Sequence, residues 1–344
     1  MVLDELTVPV VLAPLAGGPS TVELAVAVSD AGGLGFLAGG YRTADALGRQ
    51  MAELRSRTDR PFGVNVFVPP SGPTEPAVVG AYAERLRSAG ADLGEPRSDD
   101  DDWEAKLALL LDRPPPVVSF VFGCPPADAV RQLRERGAEV WATVTSPAEA
   151  RLALAAGADA LVAQGHEAGG HRAAFADEDD QPALGLIALL QLLAARTRAP
   201  LVGAGGIGSG RGLAAALAAG AHAGAVGSAF MRCPEAGTSA AHREALARDA
   251  PTALTRAFTG RTARGIVNAF MRDHDAAAPR AYPEVHHLTA PLRQAARERG
   301  DADAINLWAG QAHELGTEAP ASEVVRRLAE DARAAADRAR RRLG

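Results

Sequence analysis

A short unit recurs along this chain: an alanine-rich stretch with helical periodicity stops at a glycine, and a short apolar strand follows. Val22 to Ala31 runs through Gly32-Gly33 into Leu34-Gly35-Phe36-Leu37, and Ala148 to Ala156 runs through Gly157-Ala158-Asp159 into Ala160-Leu161-Val162-Ala163. Arg211 to Ala219 leads through Gly220-Ala221 into Ala225-Val226. Glycine supplies the left-handed cap that ends each helix, and an apolar strand between helices reads as buried on both faces. Further strands are expected at Val10-Val11-Leu12, Phe62 to Phe67, Val117 to Phe120, Val140 to Thr143 and Leu201-Val202. Eight short strands at regular spacing favour an α/β fold of the TIM (β/α)₈ barrel type over an open doubly wound sheet.

Such a barrel needs roughly 250 residues, and the chain has 344. The barrel is assigned to residues 1–230, an inserted, mainly helical second domain on the substrate side to 231–316, and a C-terminal helix returning to the barrel to 317–344. Within the insertion, Ala240 to Ala250 reads as helix, Gly265 to Phe270 as strand and Asp273 to Pro279 as a polar turn. Ala89 to Trp103 reads as a mobile excursion, with Asp99 to Asp102 as solvated surface.

Aromatic residues make up 4% of the chain, so alanine and leucine must supply most of the packing. Cys124 and Cys233 are too few for a disulfide framework or a thiolate metal site, which fits a reducing compartment. With no leader-like amino terminus and no long apolar span, the expected location is the cytoplasm. A formal charge of −6 argues against nucleic acid or an anionic membrane surface as partner. The arginines at 338 and 340–342 read as complements to a helix end.

Two clusters carry chemistry. Gly203-Ala204-Gly205-Gly206-Ile207 follows the seventh strand and Gly227-Ser228 the eighth, the corner where such barrels bind phosphate. There glycine lets the backbone approach an anion, and Ser228 adds a hydroxyl donor. The string is neither a P-loop nor a Rossmann fingerprint. Gln164-Gly165-His166-Glu167-Ala168-Gly169-Gly170-His171-Arg172 follows the sixth strand. Gly169 and Gly170 let the backbone pass under a flat ligand and place the His171 imidazole over the barrel mouth as an acid or base. A metal site built on His166, Glu167 and His171 is disfavoured, because the spacing is not His-Glu-x-x-His and the glycines oppose the helix that motif needs. Asn65 and the small-residue segment Ala13-Pro14-Leu15-Ala16-Gly17-Gly18 are further candidates for the site floor. Cys124 reads as a small hydrophobe.

These residues closely resemble the nitronate monooxygenase (2-nitropropane dioxygenase) family across nearly the whole chain. The resemblance rests on Ala13 to Gly18, Ala27 to Gly35, Gly63 to Phe67, Gln164 to Arg172, Ala204 to Ile207, Phe258-Thr259-Gly260-Arg261 with Ala263-Arg264-Gly265, and Leu307-Trp308-Ala309-Gly310-Gln311. The string Glu167 to His171 is the most specific. The resemblance implies a flavoprotein barrel in which His171 is the catalytic histidine. It further implies FMN contacts from Ala13, Pro14, Leu15, Asn65, Gln164, Gly169, Gly170, Gly203, Gly205, Gly206, Gly227 and Ser228, with Tyr282 and Trp308 on the substrate side. The implied reaction takes a small nitronate or nitroalkane and O₂ to a carbonyl compound and nitrite, through a flavin semiquinone and without a nicotinamide. The chain departs from the family pattern at Leu15, usually methionine, at Ala173, usually glycine, and around Tyr282-Pro283-Glu284-Val285-His286, where only Tyr282 carries over. An FMN-dependent NAD(P)H enoyl-thioester reductase and a non-enzymatic FMN-binding protein are the alternatives.

Overall fold

The computed structural model describes residues 1–70, 74–179 and 182–344. Eight parallel strands form the barrel: β1 (Val10–Leu12), β2 (Gly35–Ala38), β3 (Phe62–Phe67), β4 (Val117–Val121), β5 (Glu139–Val144), β6 (Ala160–Gln164), β8 (Leu201–Ala204) and β9 (Ala223–Val226). Each pairs with its neighbour in parallel, and β9 returns to β1 with Val11 opposite Ala225. The ring closes between β1 and Leu34, just ahead of β2. There Leu12 N–H donates to the Leu34 carbonyl at 2.8 Å and Leu34 N–H to the Val10 carbonyl at 2.9 Å. The expected glycines end the helices before these strands, with φ of 91° at Gly32, 97° at Gly157 and 109° at Gly220.

Side-chain alternation along each strand explains both the packing and the site. Inward-facing Val11, Phe36, Val117, Trp141, Ala160, Val202, Ala223 and Ala225 fill the lower barrel with Val2 of the amino-terminal helix Val2–Glu5. Gly63 leaves room for the Phe36 ring, since a β-carbon at Gly63 would meet that ring at 2.2 Å. Two residues further along, the same inward parity turns polar at Asn65, Ser119 and Thr143, and at Gln164 at the end of β6. The polar layer therefore lies at the carboxyl ends of the strands. Outward residues such as Leu12, Phe120, Val140 and Leu161 pack under the surrounding helices.

The helix Ala321–Leu343 closes the outer ring between the helices Gly210–Ala218 and Val22–Asp30. It seats so closely that a β-carbon at Gly210 would lie 2.4 Å from Asp331 Cβ. No helix among the described residues is long and apolar enough to cross a membrane.

A second, antiparallel sheet covers the carboxyl-terminal face. It consists of β10 (Thr252–Thr255), β11 (Ala263–Ile266) and β7 (Gly170–His171), with β11 in the middle. The expected strand ending at Phe270 is therefore too long. Asn268 accepts a hydrogen bond from Met271 N–H and starts a helix, Ala269–His274. The cover also recruits the helix Pro76–Ser88, whose Val79, Tyr82, Ala83 and Leu86 pack with Phe258, Phe270, Val285 and Leu288.

The acidic run is not merely solvated surface. Asp101 Oδ2 lies 2.6 Å from Lys106 Nζ, a side chain 2% exposed, and its Oδ1 accepts from Tyr41 N–H at 2.8 Å. Asp102 accepts from Ala44 N–H at 2.7 Å, and Asp99 pairs with His287. A run of like charges is normally driven outward by desolvation, but here backbone N–H groups and one buried ammonium receive it.

Candidate active site

A cavity of about 580 Å³ opens at the carboxyl ends of the strands. Its walls include Ala13, Pro14, Leu15, Asn65, Gln164, Gly169, Gly170, His171, Gly205, Gly206, Gly227, Ser228 and Trp308. Gly203 is not among them: its hydrogen faces Leu190, Ala216 and Leu186 of the outer helices. Tyr282 is not among them either: it is half-buried, with its hydroxyl 3.4 Å from that of Tyr41, which does line the cavity.

One end of the cavity suits a phosphate. Gly205 and Gly206 have φ of 111° and 67°, a backbone that turns left-handed where a side chain would be strained. Ser228 Oγ accepts from Gly310 N–H at 2.9 Å, which leaves its own hydrogen free to donate. Gly227 keeps the adjacent wall low, a β-carbon there lying 3.4 Å from Leu15 Cδ2. Along the floor, the Asn65 amide nitrogen donates to Ser119 Oγ at 2.8 Å, so its carbonyl oxygen remains available to a ligand. The glycine corner with Ser228, and Asn65 along the floor of the same cavity, therefore suit a ring carrying a phosphate tail.

At the other wall stands His171, carried by β7 against β11, with Ala263 opposite it. The loop that delivers it is held from several directions. Gln164 donates to the His171 carbonyl at 3.1 Å, Arg172 reaches the Gly165 carbonyl at 3.0 Å, and Arg264 reaches the His166 carbonyl at 3.1 Å. Glu167 accepts from Leu186 N–H at 2.9 Å and so caps the helix Leu186–Ala194. Gly169 is required by contact: a β-carbon would meet Gly310 N at 2.4 Å.

The Thr259 hydroxyl donates to the Arg261 carbonyl at 3.2 Å. With its one hydrogen committed, it accepts from His171 Nε2–H at 2.9 Å, which leaves the lone pair on Nδ1. Burial, reinforced by the Arg261 charge, pushes the His171 pKa down to about 3, so the ring is a neutral base. The ring packs edge-on against Phe122 and Trp308 at centroid distances of 5.7 and 5.4 Å. Phe122 holds φ of 74° beneath the Arg261 guanidinium, 4.2 Å above its ring.

Burial likewise lowers the pKa of His242 to about 4 and that of His286 well below its ordinary value. The unfolded chain takes up protons at these three positions near 6.5 while the folded protein resists them. Their contribution to stability is thus present above pH 6.5 and is lost as pH falls through that value towards the folded pKa values. Urea midpoints are expected to drop between pH 7 and pH 5, with uptake of up to about three protons on unfolding. A midpoint that does not change over that interval rejects the neutral burial of these rings.

Thr259, Arg261, Phe122, Tyr41 and His286 shape the site although motif reading did not single them out as site residues. Thr259 and Arg261 stood inside a family-like string and were within reach. Tyr41 and Phe122 were not, because an aromatic residue with positive φ leaves no mark in sequence.

Comparison with known proteins agrees with this geometry. The family model described as nitronate monooxygenase matches residues 2–331. A nitronate monooxygenase of Pseudomonas aeruginosa PAO1 is 45% identical over 341 residues, covering 94% of this chain and 96% of that protein. One from Paraburkholderia phytofirmans is 39% identical over 333 residues, covering 93% and 91%. Among solved structures, nitroalkane oxidase from Streptomyces ansochromogenes superimposes with a TM-score of 0.94 and 48% identity, over 97% of this chain and 98% of that one. FabK from Thermotoga maritima follows at 0.79 and 27%, over 98% and 96%. With a match that runs almost from end to end, and a barrel cavity carrying the expected histidine, the chain belongs to the nitronate monooxygenase family of oxidoreductases.

Proposed function

We propose that the protein is an FMN-dependent nitronate monooxygenase. It would oxidise small alkyl nitronates, such as propionate 3-nitronate, with O₂ to carbonyl compounds and nitrite, without a nicotinamide. The observation that carries this reading is a half-buried His171, held by Thr259 through Nε2, facing the same cavity as the left-handed glycine corner. Gly205, Gly206, Gly227 and Ser228 would hold the phosphate, while Asn65, Gln164, Gly169 and Gly170 would border the ring. Bound FMN would supply the redox chemistry. The chain's own part is to place the substrate and manage its proton. His171 Nδ1 is placed to accept the α-proton of a neutral nitroalkane; the negative charge of the nitronate beside it would offset the burial and the Arg261 charge that hold the empty-cavity ring neutral. Phe122 and Trp308, which pack against the His171 ring, would shield the reacting carbon from water.

The purified protein is expected to be yellow, to release FMN on heating, and to produce nitrite from propionate 3-nitronate with O₂ uptake and no NAD(P)H. Gly206→Asp is expected to lower FMN affinity by a factor of 10 or more. It places a carboxylate and a β-carbon at a φ of 67° where the phosphate would lie. FAD as sole cofactor, or unchanged FMN affinity in the variant, rejects the placement. A flavin bleached by NAD(P)H and coupled to thioester reduction would select the reductase instead.

A further inference from the structure

The cavity has a second charged end that the phosphate corner does not explain. Arg293 and Gln294 on the helix Ala290–Arg299 line it, together with Arg297 one turn further on and Asn306 from the segment that precedes Trp308. Arg293 is 4% exposed, yet its guanidinium meets only neutral acceptors. These are Thr289 Oγ1 at 3.0 Å, the His286 carbonyl at 2.7 Å and His286 Nδ1 at 3.3 Å. Arg297 reaches Asn306 Oδ1 at 3.4 Å from the exposed side of the cavity. Neither forms an ion pair with a carboxylate among the described residues, and the two cations act on each other repulsively. Arg261, the other buried guanidinium nearby, differs in having the Asp177 charge to offset it.

Burying one guanidinium beside another without a counter-charge is costly, and proteins accept that cost where a ligand supplies the anion. The planar guanidinium fits carboxylate and phosphate oxygens with paired N–H donors. Its location narrows what that ligand can be. Arg293 holds the backbone of His286, and its charge is felt at the His171 ring. The anion would therefore sit a short chain length from the reacting carbon, on the covering helix rather than at the glycine corner.

We propose that Arg293 and Arg297 form a tail-recognition site for a second anionic group, a carboxylate or a phosphate, carried by the substrate a short distance from its reacting carbon. The substrate is then bound at two points, reacting group beside His171 and tail between the guanidiniums. This assignment rests on the nitronate reading for its reaction, although the anion site itself does not.

The test uses the FMN-loaded enzyme with the nitronates of 3-nitropropionate and 1-nitrobutane, which differ in tail charge. The wild type is expected to favour the charged tail, and Arg297→Gln to lower the ratio of the two kcat/KM values by about 10- to 100-fold, the usual scale of a charge-assisted contact. Arg293→Lys, which keeps the charge but loses the fork, is expected to lower it by a smaller factor. In parallel, succinate and inorganic phosphate are titrated against the visible flavin spectrum; whichever binds more tightly identifies the tail chemistry, and its Kd should rise at least tenfold in Arg297→Gln. If no nitronate is turned over but anion binding still depends on Arg297, the reaction assignment fails and the anion site stands. An unchanged ratio with unchanged anion binding overturns the site. Loss of FMN from Arg297→Gln overturns it too, by giving the guanidinium to the cofactor.

Discussion

Replacing His171 with alanine is expected to leave FMN bound and to cut turnover of a neutral nitroalkane by about 10²–10⁴-fold, the usual worth of a positioned general base. The preformed nitronate, already deprotonated at carbon, should lose less. The contrast arises from the site: Nε2 is occupied by Thr259 and the ring is neutral, so Nδ1 is the basic atom that His171 offers to the substrate. Because the ring also packs on Phe122 and Trp308, an alanine leaves space, and His171→Asn keeps more of the shape without the base. Anaerobic stopped-flow reduction of the flavin, with nitrite and O₂ measured for both substrates, separates proton removal from the later oxidation. Equal losses on the two substrates would remove proton abstraction from the role of His171. No loss on either would remove His171 from the chemistry.

The second large effect is on stability. Lys106→Met removes the buried ammonium and leaves Asp101 without its cation; breaking one partner of such a pair typically costs about 3–5 kcal/mol. Burial already pushes the Asp101 carboxyl above the usual range with Lys106 against it. The damage should reach the cavity, because Asp101 also holds the backbone of Tyr41. Tyr41 has φ of 63°, stacks on His286 at 4.2 Å between centroids, and touches the Tyr282 hydroxyl. Adding Asp101→Asn should restore part of the loss, since the remaining group is then neutral. Urea unfolding of the two single variants and the double variant measures the coupling. A loss under about 1 kcal/mol in Lys106→Met would mean that water, not Lys106, compensates Asp101.

The barrel was readable from sequence because its repeating unit combines two strong local signals, a glycine at each helix end and apolar runs that are buried on both faces. The glycine corner and His171 were readable for a related reason: glycines and a lone imidazole immediately after strands sit where this architecture opens. What escaped was decided by contacts distant in sequence. Nothing in Asp99 to Asp102 says which carboxylate turns inward, because the answer lies in Lys106 and the backbone N–H groups of Tyr41 and Ala44. Asn268 falls inside the expected strand, although its amide makes it a helix cap. The small strand that carries His171 exists only because β11, some 90 residues later, arrives beside it.

That pairing ties reactivity to shelter. His171 is hydrogen-bonded into the roof, while the glycine corner belongs to the walls. On the proposed function, the base and the phosphate grip are thus mounted on different parts of the molecule, roof and wall. Were the cover to lift, His171 would lose the Thr259 and β11 contacts that orient it while the glycine corner kept its shape, so under that proposal exposure of the cavity and loss of its base would coincide.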